Sequence, residues 1–205
     1  MSVSDLMGRL NLSRKEERAG LVSLPRFILM TDDVRLPDPL PAVDALPEKS
    51  AVIFRHYDSP DREGLAAGLL ARARRSGVRV LISADPGLAL KVGADGLHLP
   101  EYMAARGFNF WRAWRRPDWL VTASAHSRAA LFRAWKSGAD AALLSPVFPT
   151  RSRPETPPLG TIRFTAWCRQ SPLPVFALGG ISETSARRLK DSGARGFAGI
   201  SGFLA

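Results

Sequence analysis

Ser137-Gly138-Ala139-Asp140-Ala141-Ala142-Leu143-Leu144 carries the organising signal of this chain: a small-residue hinge after a helix-like segment, then a short apolar run. The same junction recurs at Ser76-Gly77-Val78, at Val92-Gly93-Ala94-Asp95-Gly96-Leu97 and at Ser192-Gly193-Ala194-Arg195-Gly196-Phe197. Glycine suits the left-handed position just past a helix end, and a strand can begin a few residues later. The junctions therefore predict strand and helix in alternation.

Apolar runs fall at 26–31, 51–55, 78–83, 96–99, 119–123, 141–144, 174–178 and 196–200. Most are short and continuously apolar, the pattern of a parallel strand buried on both faces. Amphipathic segments lie between them at 61–76, 86–92, 127–137 and 182–192, with weaker ones near 40–46, 101–115 and 160–169. In the first, Leu65, Leu69 and Leu70 are expected to cover the sheet while Glu63, Arg72, Arg74 and Arg75 face water. This alternation predicts an α/β fold, a compact parallel (β/α)8 TIM barrel over residues 25–205; an open doubly wound sheet is the alternative. Pro37, Pro39, Pro41 and Pro47 make the first connection stiff and irregular. Ser201 to Ala205 leave room only for a truncated last helix, and residues 1–24 read as an N-terminal extension with Leu6, Met7 and Leu10 at helical spacing. That extension, or a second copy in a homodimer, would cover the barrel flank that the short last helix leaves bare.

With 205 residues, 45% of them hydrophobic, the chain can build one core of its own. No window approaches the roughly 18 apolar residues of a membrane helix, and residues 1–20 carry charges where a signal peptide is apolar. Cys168 is the single cysteine, and with His56, His98 and His126 it cannot build a zinc cluster. A soluble protein of the reducing cytoplasm is expected. The net charge of +10 raises attraction to nucleic acid or to phosphorylated metabolites. Only Trp111-Arg112-Ala113-Trp114-Arg115-Arg116 interleaves cations with aromatics, and it reads as a solvated face whose rings reach the core rather than as a nucleic-acid stripe.

In a barrel, function gathers at the loops after the strand C-termini, with phosphate commonly held after strands seven and eight. Those loops are Gly179-Gly180-Ile181-Ser182 and Gly199-Ile200-Ser201-Gly202, where glycines let backbone N–H groups approach an anion. After strand six, Thr150 and Ser152 stand beside Arg151 and Arg153 as an anion clamp. His126, just past strand five in Ser124-Ala125-His126-Ser127, offers a titratable group for proton transfer. His98 reads as a packed residue hydrogen-bonded at its strand end.

Together these residues resemble the family of thiamine-phosphate synthase and its TenI-type relatives, compact (β/α)8 barrels of thiamine biosynthesis. The resemblance runs from about residue 26 to the C-terminus. Its carriers are Gly93 to Leu99, Ser124 to Ser127, Gly138-Ala139-Asp140, Pro146 to Thr150, Ala177 to Ile181, and Ile200-Ser201. It implies a small phosphorylated thiazole as ligand, with phosphate bound at Gly180, Ile200 and Ser201 and at Thr150, Ser152 and Arg153. It also implies pocket roles for Arg55 and Ser124.

The synthase couples a thiazole phosphate to an aminopyrimidine pyrophosphate with magnesium, and here the chain departs from it. Its Gln-x-Arg-x-Lys strand reads Ile53-Phe54-Arg55-His56-Tyr57, its Asn-Asp reads Ser83-Ala84, and its second metal carboxylate aligns with Met103. TenI-type proteins lack the metal site, and some isomerise a thiazole carboxylate phosphate with a histidine at the position of His126. Leu99-Pro100 resembles their Leu-Pro. The resemblance thus implies a thiazole tautomerase with His126 as acid/base and no cofactor. A divergent synthase, with Mg2+, or a non-catalytic phosphate-binding barrel are the alternatives.

Overall fold

The computed structural model describes residues 23–107, 110–152 and 154–200. Eight parallel strands close into a barrel in sequence order. They are β1 (Phe27–Met30), β2 (Ala51–Phe54), β3 (Arg79–Ser83), β4 (Gly96–Leu99), β5 (Leu120–Ala125), β6 (Ala141–Leu144), β7 (Val175–Leu178) and β8 (Gly196–Gly199). Closure comes from β8 pairing with β1, Phe27 beside Phe197 and Leu29 beside Gly199. The barrel, not the open sheet, is therefore the architecture, and every apolar run of the sequence supplies one strand.

Helices follow the strands: α1 (Leu40–Asp44), α2 (Arg62–Arg75), α3 (Pro86–Lys91), α4 (Glu101–Ala105), α5 (Arg128–Lys136), α6 (Gly160–Gln170) and α7 (Glu183–Arg187). Side chains capping N-termini fix where several begin. Asp61, Asp85 and Ser127 accept from the backbone N–H of Gly64, Leu88 and Ala130. Gly77, Gly93 and Gly138 close α2, α3 and α5 at φ of 62°, 66° and 79°, left-handed values that a side chain disfavours, and Gly193 takes φ of 84° in the turn before β8. Two expected segments give shorter helices among the described residues: the weaker 101–115 holds α4 and a 3-10 turn at Arg112–Trp114, and 182–192 holds α7. Turns follow at Gly107 and after Arg188.

The aspartates of the Gly-Ala-Asp junctions have a structural task. Oδ2 of Asp95 accepts from Val80 N–H and Oδ2 of Asp140 from Val121 N–H, both at 2.8 Å. Each sews a junction to the neighbouring strand at the foot of the barrel.

Alternation along the strands makes two apolar layers. Phe27, Leu29, Val52 and Phe54 face the helices, where Leu69, Leu70, Leu131 and Phe164 meet them. Ile28, Met30, Ile53, Leu81, Leu143 and Phe176 fill the barrel interior. Leu24 joins that interior and its carbonyl accepts from Arg195 at 2.8 Å, while Ser23 O accepts from Arg79 at 2.7 Å. The rest of the expected N-terminal extension, and the residues read as a truncated last helix, lie outside the described residues. Trp111 is buried with its indole N–H on Ser137 O, and Arg115 pairs with Asp140, so this stretch does send a ring into the core. No helix among the described residues is long and apolar enough to cross a membrane.

Candidate active site at the carboxyl end of the barrel

Interior positions turn polar toward the strand C-termini. Ser83 on β3, His98 on β4 and Thr122 on β5 are buried. His98 Nδ1 lies 2.8 Å from Thr122 Oγ1 and its Nε2 lies 2.9 Å from Ser124 Oγ. Hydroxyls can donate or accept, so a neutral imidazole satisfies both. Burial, helped by the charge of Arg55, pushes the His98 pKa down to about 3. His98 is thus a fixed, uncharged strut, as expected for a packed strand-end histidine.

Above this layer opens a cavity of about 610 Å³. Of the residues singled out from the sequence, Arg55, Ser124, His126, Thr150, Ser152 and Ile200 all line it. Gly180 stands beside the lining Gly179, whereas Arg153 and Ser201 lie outside the described residues.

His126 is held by a carboxylate from the connection after the neighbouring strand. Glu101 opens α4, and its Oε2 lies 2.7 Å from His126 Nδ1 while also accepting the His126 backbone N–H at 2.9 Å. Its Oε1 accepts from Arg133 at 2.7 Å. Burial pushes the Glu101 pKa up, but hydrogen bonds from His126 and Arg133, with the imidazolium charge, outweigh it and hold the carboxyl below its ordinary value. Ser127 caps α5 immediately after His126, so backbone and ring are both pinned. With Nδ1 on Glu101, Nε2 is the ring nitrogen left to face a ligand. The signal was adjacency: β4 and β5 are neighbours, so the first residues past their ends must meet.

The opposite wall is built by loops. Gly180 has φ of 66°, and a Cβ there would lie 2.4 Å from Pro149 O, so the loop after β7 packs directly on the loop after β6. Phe148 N–H reaches Gly179 O at 3.0 Å, which fixes the same seam. Thr150 and Ser152 stand at its end, Ser152 N–H pointing to Thr150 Oγ1 at 3.4 Å. Arg35 and Arg55 bring two guanidinium groups to the cavity, and Tyr57 and Tyr102 add phenol rings. Arg35 and Tyr102 escaped the sequence reading because they sit in connections without a motif, whereas Tyr57 stands where the resembled synthase strand has its lysine.

The chain matches the family model described as thiamine monophosphate synthase over residues 41–203. "Putative thiamine-phosphate synthase 2" of Aquifex aeolicus is 34% identical over 192 residues, covering 89% of this chain and 100% of that protein. A thiamine-phosphate synthase of Syntrophomonas wolfei is 33% identical over 158 residues, 76% of this chain and 75% of its own. Among solved structures, thiamine phosphate pyrophosphorylase from Pyrococcus furiosus superposes with a TM-score of 0.69 at 24% identity, covering 87% of each chain, a likeness that speaks for the fold alone. The family match spans every strand from β2 to β8 and the cavity loops that follow them, so this chain belongs to the thiamine monophosphate synthase family.

Proposed function

We propose that the cavity binds a thiazole phosphate and that His126 moves a proton on it, converting a non-aromatic thiazole tautomer into the aromatic form. The Glu101–His126 pair carries this reading. A carboxylate on Nδ1 fixes the ring tautomer, so that Nε2 can take a proton from one carbon and the resulting imidazolium can return one to another. Proton count is unchanged over the cycle, and no other reactant is consumed. Thr150, Ser152, Gly180 and Ile200 are assigned to the phosphate, with Arg153 and Ser201 as their sequence neighbours, and Ser124 and Arg55 to the pocket around the organic part.

A second reading, condensation of the thiazole phosphate with an aminopyrimidine pyrophosphate, is supported by the names of the relatives more directly than the first. It would require magnesium, which protein carboxylates would have to hold while the ion neutralised pyrophosphate charge. The residues present do not fit that ion. Ala84 offers no side-chain oxygen, and Met103 is buried in the outer core. Asp85 is spent on Leu88 N–H and on Arg62, each at 2.9 Å, and Glu101 is spent on His126 and Arg133.

One experiment separates the two: absorbance-monitored conversion of the thiazole carboxylate phosphate tautomer in EDTA, beside coupling of both synthase substrates with magnesium. Turnover in EDTA that falls by about 10²–10⁴-fold in His126→Ala is the expected result. Coupling with magnesium and no tautomer conversion would replace the first reading by the second, and neither activity would leave a binding protein.

A further inference from the structure

We propose that Arg35, in the loop after β1, is a phosphate-binding residue of this cavity, held in reserve by Asp32 until an anion arrives. The inference rests on the phosphate site proposed above. Arg35 reaches across the cavity mouth: its guanidinium hydrogen-bonds Ser152 Oγ in the loop after β6, 117 positions along the chain. Its other terminal nitrogen donates to Asp32 Oδ2 at 2.8 Å. The same oxygen lies 3.8 Å from Arg55, so one carboxylate stands between two cavity-lining cations.

Asp32 is built to keep that place. Its Oδ1 accepts from the backbone N–H of Val34 and Arg35 at 3.2 and 3.0 Å, which shapes the loop, and leaves Oδ2 for the guanidinium. The Arg35 hydrogen bond, opposed by burial, pulls the Asp32 carboxyl down to about 2, so it is ionised throughout the neutral range. The Arg35 side chain is 36% exposed against 15% for Asp32, so the guanidinium stays open to the cavity mouth, where an anion of higher charge can compete for it. A phosphate dianion beside Ser152 offers the guanidinium more charge and more acceptor oxygens than Asp32 does, in the bidentate geometry that arginine favours. Exchange of Asp32 for phosphate would then draw the loop after β1 onto the loop after β6.

The test is calorimetric titration of the full-length protein with inorganic phosphate at pH 8 and low salt, with far-UV circular dichroism checking each variant's fold. Arg35→Gln should weaken binding about tenfold, the value of one charge-assisted hydrogen bond, and Arg35→Lys should recover part of it. Asp32→Asn keeps the Oδ1 that shapes the loop but removes the competing charge, so binding should tighten by a few fold. These opposite signs distinguish a ligand-binding arginine from a structural one. If both variants weaken phosphate alike, or Arg35→Gln binds as the wild type does, the proposal is overturned. A wild-type protein that binds no phosphate overturns the phosphate site beneath it as well.

Discussion

At the scale of single residues, Glu101 is the group on which His126 depends. Its removal should be felt in turnover rather than in binding, because it touches the imidazole and the Arg133 guanidinium. Glu101→Gln keeps the shape and loses the charge, so kcat should fall about ten- to a hundredfold with KM nearly unchanged, read by steady-state kinetics. The carboxyl also stores stability. Its pKa is held below the ordinary value in the fold, so its contribution is full above the unfolded carboxyl's pKa. It is lost as pH falls through the folded value, and Glu101→Gln should flatten the acid side of a melting-temperature profile. His56, by contrast, is fully engaged away from the chemistry. Its Nδ1 lies 2.9 Å from Thr31 Oγ1 and its Nε2 lies 3.2 Å from Pro37 O, while its ring stacks on Phe54.

At the scale of elements, the cavity wall assigned above to the phosphate is a seam between two loops, and Gly180 is a tight point of it. Gly180→Ala would place a Cβ against Pro149 O and Phe148 at positive φ, so one of the two loops must move. A loss of about 1–3 kcal/mol in denaturant unfolding is expected, together with weaker phosphate binding in the same calorimetric assay. The helix after this loop has little to add. The α7 helix is 5 residues long, and its first turn is already closed by a capping box between Ser182 and Ser185. Under the proposed function, phosphate would therefore be met by loop backbone and side chains, which is where Thr150, Ser152 and Arg35 stand.

At the scale of the whole molecule, the barrel carries an uncharged histidine in its interior just beneath the cavity. The folded pKa of His98 is about 3 against about 6.5 for an unfolded histidine, so the unfolded chain binds more protons between those values. Stability should be full above about pH 6.5 and decline as pH falls toward 3. His98→Gln, which cannot be charged, should reduce that slope in thermal melts measured from pH 7 to 4. Because His98 holds both Thr122 and Ser124, the same acidification should slacken the cavity floor before the helices separate.

The sequence by itself determined the barrel and pointed to six of the residues around its mouth. Strand positions were legible because parallel strands buried on both faces are short, unbroken apolar runs, and because glycine past a helix end is a local requirement. His126, Arg55, Ser124, Thr150, Ser152 and Ile200 were legible because a parallel barrel delivers every strand's C-terminal end to one place, whatever the distance along the chain. Only the tertiary structure decided the partnerships: Glu101 with His126, Arg35 with Ser152, Leu24 with the barrel floor. The lengths of α4 and α7 were likewise decided by packing, since amphipathic spacing cannot say where a helix gives way to a turn. Such pairings depend on closing the sheet, which sets residues 25 or 117 positions apart within hydrogen-bond reach. No local pattern in a sequence encodes that distance.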